Sequence, residues 1–106
     1  MTSRFRRYEI VLPLRFNDGH PVPDELIANT LIELRQKFGA VSCETQTIQG
    51  QWQLQDRLFR DDLMRMFGDV ADTPENRAFF VEFKTRICAA FQQIDIWMTT
   101  YPIEVI

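Results

Sequence analysis

The chain has 106 residues, a mass of 12.6 kDa and a net charge of −3. We expect a single domain over residues 1–106, because one hydrophobic core usually serves about 100–150 residues. An apolar content of 45% with 25% charged residues is typical of a globular protein and excludes disordered and fibrous classes. The acidic balance disfavours nucleic-acid binding, since phosphate contacts need clustered positive charge.

The one basic cluster of the sequence lies near its N-terminus and consists of Arg4, Arg6 and Arg7. We predict a flexible, solvated segment over residues 1–7, and nucleic-acid binding through these arginines is the weaker alternative. No apolar stretch follows the charges, and no run of about 18 apolar residues occurs anywhere. The sequence therefore predicts neither a secretory signal nor a membrane span.

The chain has only two cysteines, Cys43 and Cys88, and they lie far apart in the sequence. This pattern favours reduced thiols and a cytoplasmic location. We interpret both side chains as small buried hydrophobic groups rather than nucleophiles, because free cysteine is among the most buried residue types.

The first half of the chain predicts a strand, a helix and a second strand. Residues 8–16 alternate between two faces, which indicates a strand, but Pro13 cannot donate to a ladder and predicts a bulge or an early end to pairing. Residues 23–38 have apolar side chains at helical spacing, and Gly39 suits the left-handed residue that follows a helix. Residues 41–52 are rich in Thr, Val and Ile and predict a second strand.

The second half contains one ambiguous segment and two clear ones. Residues 61–70 fit both a strand and a helical stripe, and periodicity alone leaves both open. Residues 73–93 predict a long helix that Thr73 caps and Pro74 begins. Its apolar stripe consists of Phe80, Phe83, Ile87, Ala90 and Ile94. Residues 95–106 predict a closing strand, and Pro102 marks it as an edge strand.

If residues 61–70 form a strand, the order is strand, helix, strand, strand, helix, strand. Two such split units form the α+β ferredoxin-like two-layer sandwich, with both helices on one face of an antiparallel sheet. The usual order of this fold makes the first strand central, so we expect a bulge or an early end to pairing at Pro13.

Several short segments together resemble a family of small bacterial proteins of unknown function that we associate with planctomycetes. They are Gln49–Trp52, Arg60–Asp62, Thr73–Arg77, Phe91–Gln93 and Trp97–Ile103. The resemblance covers nearly the whole chain after Arg7 and implies a strand over residues 61–70. It implies no activity and no catalytic residue.

The residues that carry common chemistries are scarce. His20 is the one histidine and lies in a Gly-Pro turn, so we interpret it as a solvated turn residue, and no metal site or cofactor is predicted. Asp61 and Asp62 would point to opposite faces of a strand and could not easily share an ion. The glycines are never clustered, which excludes phosphate-binding loops, and the basic and glycine-rich signature of the RNA-recognition fold is missing.

Arginines in or beside the strands leave two interpretations open: Arg15, Arg57, Arg60 and Arg65. They could bind a carboxylate ligand, since a guanidinium meets a carboxylate with two parallel hydrogen bonds. The favoured interpretation is pairing with the chain's own carboxylates: Asp56, Asp61, Asp62 and Asp69.

The closing strand carries large side chains on one face: Trp97, Thr99, Tyr101 and Ile103. If this face is free of helices, its aromatic residues predict an interface, because exposed apolar patches usually mark binding sites. The opposite parity, with Trp97 under the helices, is equally compatible with the pattern, since both faces of the segment carry apolar residues.

Two functions are compatible with these patterns. The first is a non-catalytic interaction or sensor module that associates with itself through this face or through an edge strand, and that binds a small-molecule or protein partner. Pro102 limits edge pairing, so a two-fold homodimer through the face is the favoured arrangement. The alternative is a cofactor-free enzyme of the dimeric α/β-barrel type, in which paired sheets enclose a small apolar substrate. Its candidate catalytic residues would be His20, Arg15 and Tyr101.

Overall fold

The computed structural model describes residues 4–106. Its elements are β1 (Phe5–Pro13), α1 (Asp24–Phe38), β2 (Ser42–Cys43), β3 (Ile48–Leu54), β4 (Arg57–Ala71), α2 (Pro74–Ala90) and β5 (Met98–Ile103). All strand pairs are antiparallel, and the core residues of both helices cluster with one face of the sheet. The predicted α+β ferredoxin-like arrangement is confirmed, and the ambiguous segment is a strand.

The sheet has the order β2-β4-β1-β5, and β3 also pairs with β4. The predicted strand over residues 41–52 is therefore two strands on the same side of β4, and the described chain has five strands where the sequence predicted four. The interruption is a run of four polar residues over 44–47, which have no apolar side chain to bury. Glu44 begins it, and its N–H still donates to the carbonyl of Arg65 at 2.9 Å.

Pro13 ends β1 as predicted, and the ladder explains why the fold tolerates it. Leu14 donates to Asp62 of β4, whereas Val11 donates to Trp97 at 3.0 Å, so odd-numbered residues of β1 point their N–H groups towards β5. Pairing with β5 extends only from Phe5 to Ile10. An N–H at position 13 would point towards β5, but β5 has no residue opposite this position. The missing N–H of Pro13 therefore costs no hydrogen bond between β1 and β5.

The N-terminal prediction needs correction. Phe5, Arg6 and Arg7 belong to β1 and pair with β4 and β5, so they are not a flexible segment. Arg6 and Arg7 also form ion pairs with Asp72 and Asp69, which compensates for the loss of hydration at these positions. Residues 1–3 lie outside the described residues.

Helix α2 starts at Pro74 as predicted, whereas α1 starts at Asp24, one residue later than predicted, because Pro23 is an extended N-cap residue. Helix α2 also ends earlier than the sequence indicated. The hydroxyl of Thr73 accepts from the N–H of Asn76 at 3.1 Å, and Gly39 follows α1 with φ of 87°. Helix α2 stops at Ala90 rather than at residue 93, because Gln92 adopts φ of 55° and turns the chain away from the helix axis. Ile94, predicted in the core stripe, is consequently 98% exposed. Ala90, predicted in the same stripe, is the last residue of the helix and is exposed as well.

The core lies between the helices and the even-numbered residues of β1. The ring of Tyr8 stacks on Phe80 with centroids 3.9 Å apart, and the ring of Phe38 also lies parallel to Phe80, with centroids 5.4 Å apart. The fully buried side chains are Phe80, Phe83, Phe91, Ile10, Leu12, Leu34 and Met66. Cys88 packs against this core, whereas Cys43 is exposed, contrary to the prediction that both are buried. Neither helix within residues 4–106 has the length and apolarity that a membrane crossing requires.

Candidate functional site

One face of the sheet carries no helix among residues 4–106, and we call it the open face. Because Tyr8, Ile10 and Leu12 are buried beneath the helices, the odd-numbered residues of β1 point the other way. Directly paired residues share a face, so the register defines the rest. The open face consists of Arg7, Glu9 and Val11 of β1; Arg65, Phe67 and Asp69 of β4; and Thr99, Tyr101 and Ile103 of β5.

Trp97 extends the open face just before β5. Its neighbour Ile96 is buried, and Trp97 itself is 70% exposed. Tyr101 is 41% exposed, whereas Thr99 and Ile103 are half-buried. The four residues that the sequence proposed as an interface therefore follow one alternation on the helix-free side of the sheet.

The centre of the open face is the ring of Phe67 between two arginines. The guanidinium carbon of Arg7 lies 4.3 Å from the ring centroid, and that of Arg65 lies 5.5 Å away. Arg7 also donates two hydrogen bonds to the carboxylate of Asp69, at 2.7 and 2.9 Å. This bidentate pair raises the pKa of Arg7 further above its ordinary value.

Arg65 binds two carboxylates at once. It contacts Glu9 at 3.3 Å and Glu44 at 2.5 Å. Its Nε is buried and has no hydrogen-bond partner within the described residues. A buried donor without an acceptor is unfavourable, so this atom is a local cost that the two ion pairs of Arg65 offset.

Tyr101 completes the network by donating a 2.7 Å hydrogen bond to Glu9. This bond, with burial as the second cause, raises the pKa of Tyr101, while a weaker contact with Arg7 opposes the shift. The phenol thus stays protonated well above neutral pH and acts as a donor rather than as a base.

The hairpin of β3 and β4 also carries aromatic side chains on the same side of the sheet as the open face. Trp52 stacks on Phe59 with centroids 4.1 Å apart, and its indole N–H donates to Asp61 at 3.0 Å. Gly50 lies opposite Asp61 in the same hairpin and leaves space for the side chain of Leu63.

The three candidate catalytic residues do not form one site. Arg15 donates to the carbonyl of Gly19 at 3.1 Å, and His20 pairs with Asp18 at 2.9 Å, both in the turn after β1. The N–H of His20 is the main cause that lowers the pKa of Asp18. Tyr101 instead pairs with Arg7, near the start of β1. Arg15 lies just beyond the other end of β1, and the six residue steps from Arg7 to Pro13 alone span about 20 Å.

The arginine pairings differ in detail from the favoured prediction. Arg65 pairs with Glu9 and Glu44 instead of an aspartate, and Asp69 pairs with Arg7. The sequence patterns placed Arg7 in a solvated terminus and missed it as a site residue. The alternation of Phe5, Arg7 and Glu9 with the core residues of β1 was the available signal. Within residues 4–106, no group of three or more His, Cys, Asp or Glu side chains is arranged to hold a metal ion.

Comparisons with solved structures support the fold. A phage SAM lyase in complex with S-methyl-5'-thioadenosine is similar with a TM-score of 0.67 and 14% identity, over 99% of this chain and 92% of that chain. The divalent cation tolerance protein CutA1 from Thermus thermophilus has a TM-score of 0.64 and 13% identity, over 95% and 85%. The B. subtilis GlnK–ATP complex has a TM-score of 0.60 and 14% identity, over 97% and 84%.

No protein-family model and no curated protein matches the sequence. At such low identities the structural likeness defines the architecture alone. The resemblance to planctomycete proteins therefore stays an expectation from the sequence.

Proposed function

We propose that this chain is a non-catalytic, self-associating module of sensor or interaction type, and that two copies form a homodimer through their open faces. The observation that carries the proposal is the exposure of Trp97 and Tyr101 on a helix-free face. Trp and Tyr are favoured at interfaces because each combines a large apolar body with a polar tip. Apolar surface of this kind on a two-layer sandwich favours a partner that covers it.

The charges of the open face are compatible with burial between two copies. A charge that enters an interface alone is costly, but Arg7 and Asp69 already form a bidentate pair within the chain. Arg65 is likewise paired with Glu9 and Glu44.

Face-to-face stacking is favoured over one continuous sheet. Edge-to-edge pairing would have to use β5 or the interrupted edge of β2 and β3. On β5, Pro102 lacks the N–H that would face a partner strand, and on the other edge residues 44–47 leave the ladder. A two-fold axis is expected because it is the commonest symmetry of homo-oligomers.

Light scattering during size exclusion, at tens of micromolar protein, tests the proposal. We expect a mass twice 12.6 kDa for the wild type. Trp97→Asp should give a folded monomer, because a carboxylate without a partner is costly to bury. Val81→Asp is the matched control, since Val81 is similarly exposed at 63% but lies on α2. A monomeric wild type, or equal effects of the two variants, would refute association through the open face. If the wild type forms a larger assembly that Trp97→Asp disrupts, association through the open face would stand and the number of copies would differ from two.

The proposed module has no resident cofactor and works in the cytoplasm. The similarity to GlnK in complex with ATP makes a nucleotide the first ligand to test. A thermal-shift series with ATP, repeated on Trp97→Asp, asks whether binding depends on the assembled face. Stabilisation that appears only in the wild type would support a sensor, because a ligand that binds the native state raises its melting temperature.

A cofactor-free enzyme is the second candidate, favoured by the hydrogen-bonded pair of Tyr101 and Glu9 beside Arg7. Two stacked faces would enclose these polar groups, and the likeness to a phage SAM lyase suggests the substrate to try. Chromatography after incubation with SAM measures its loss. Loss that requires Tyr101, judged against Tyr101→Phe, would favour the enzyme over the non-catalytic module.

A further inference from the structure

A groove of about 300 Å³ runs between α2 and β5, on the side of the sheet opposite the open face. Its floor is apolar and consists of Tyr8, Phe80 and Met98. Its helical wall carries Arg77, Val81 and Lys84, which lie about one turn apart along α2. The groove is therefore an apolar channel with cationic groups along one side.

The other side of the groove is an unpaired strand edge. Strand β5 is last in the sheet order, and its odd-numbered residues bond to β1, as the bond from Val11 to Trp97 shows. The backbone N–H and C=O groups of Met98 and Thr100 must then point away from β1. No backbone hydrogen bond to these outward groups occurs within residues 4–106.

One of the two cationic side chains of the groove has no carboxylate partner among the described residues. Lys84 pairs with Asp95 at 2.9 Å. Arg77 has no carboxylate partner among the ion pairs of the described residues, although it lines the groove. Val81, its neighbour one turn along, leaves an apolar side chain 63% exposed at the rim. An occupant that combines an apolar and an acidic group would complement both.

We propose that this groove binds a short extended peptide that adds a strand to the edge of β5. The peptide backbone would pair with Met98 and Thr100, one apolar side chain would enter the groove against Phe80, and an acidic side chain would contact Arg77. Strand addition of this kind obtains affinity from main-chain hydrogen bonds and specificity from side-chain pockets.

The length of the free edge favours a peptide over a second copy of the chain. Met98 and Thr100 offer a complete set of donors and acceptors, but Pro102 has no N–H. The ladder can therefore extend over only about four residues of an added strand. A ladder of this length is enough to bind a peptide motif, but it is too short to hold two whole domains together. The proposal is independent of the open face and of the homodimer.

Thr100→Pro is the decisive variant because it removes the outward N–H of the edge. The fold already accepts proline at the equivalent outward position of Pro102. The hydroxyl of Thr100 donates to the carbonyl of Arg7 at 2.8 Å, so Thr100→Val is the matched control that loses the hydroxyl and keeps the N–H. If Thr100→Pro does not fold, as judged by circular dichroism, the wild-type protein is tested with a peptide that is N-methylated at alternate residues. N-methylation removes the peptide N–H groups that would pair with the edge of β5.

The experiment selects short random peptides displayed on phage against the wild-type protein and against Arg77→Glu. We expect alternating apolar sequences with an acidic residue for the wild type, and a basic residue in its place for Arg77→Glu. The best wild-type peptide, made synthetically, should bind Thr100→Pro about tenfold more weakly and Thr100→Val nearly unchanged. N-methylation should weaken binding similarly.

Three outcomes would overturn the proposal. The first is that no sequence is enriched, and the second is equal binding to Thr100→Pro and the wild type. The third is that Thr100→Pro abolishes self-association, since a second copy would then occupy the edge. Peptide binding should survive Trp97→Asp, which separates this inference from the proposed homodimer.

Discussion

The phenol of Tyr101 donates a 2.7 Å hydrogen bond to Glu9, diagonally across the paired strands β5 and β1. The same carboxylate oxygen accepts from Arg65 of β4, so one side chain links three strands on the open face. Ionisation of Tyr101 would break the bond and place a second negative charge beside Glu9, which is why its pKa is raised.

The titration of Tyr101 can be measured directly, because the chain has only two tyrosines. In a Tyr8→Phe background we expect an ultraviolet titration midpoint above the ordinary value of about 10. Glu9→Gln should lower it. The raised pKa means that the bond stabilises the fold fully below the unfolded-state pKa and loses this contribution as pH rises through the folded-state value. A midpoint that Glu9→Gln leaves unchanged would contradict the assigned cause.

Phe83 is expected to be a principal contributor to stability. It is fully buried in the middle of α2, with Phe79 and Phe80 adjacent. Phe83→Ala should reduce the free energy of unfolding by about 3–5 kcal/mol, the usual cost of such a cavity. Val81→Ala, on the exposed side of the same helix, should change it by less than about 0.5 kcal/mol. Denaturant melts measure both, and a loss below about 1 kcal/mol for Phe83→Ala would show that the core is assigned wrongly.

Gly50 and Leu63 should be energetically coupled. A Cβ at position 50 would lie 2.6 Å from Cδ1 of Leu63. Gly50→Ala is expected to destabilise by about 1 kcal/mol, at the low end for overpacking, because the end of a leucine side chain can rotate away. Leu63→Ala should remove this cost, so the double-mutant cycle is non-additive. Simple additivity in denaturant melts would mean that the two residues do not meet in the hairpin.

No transition metal should accompany the purified protein. The described chain groups no three suitable side chains, and its one histidine is engaged by Asp18 in an exposed turn. Elemental analysis of tag-free protein should find zinc and iron far below one atom per chain. One zinc or iron atom per chain would contradict this expectation.

Local signals predicted the helices and the first strand well. The cap at Thr73, the left-handed Gly39 and the alternation of Tyr8, Ile10 and Leu12 each depend on neighbours within a few residues. Pro13 could be interpreted correctly for the same reason, since a missing N–H limits pairing whatever the partner strand is. The ends of elements were less predictable. Helix α2 stops where Gln92 turns to positive φ, and no glycine marks that position.

The candidate site depended on information that the pattern lacks. Both faces of the segment after residue 95 carry apolar side chains, so periodicity left the orientation of Trp97 open. The structure resolves it because Ile96 fills the core and Trp97 must then point away. Likewise, the carboxylates that bind Arg65 come from β1 and from the residue after β2. Only strand pairing brings them together.

The sequence alone determined which side chains share a face of each element, because side-chain direction follows from a period of two or 3.6 residues. It therefore determined the apolar side of β1, the absence of common catalytic motifs, and the part of the α2 stripe formed by Phe80, Phe83 and Ile87. The predicted stripe residues Ala90 and Ile94 are exposed. The tertiary structure decided which faces meet, since that choice depends on packing between segments distant in the chain. It thereby placed Arg7, Glu9, Arg65 and Tyr101 in one network on an open face. In the part of the chain that the structure describes, it also left the outer edge of β5 unpaired beside a groove that carries Arg77 and Lys84.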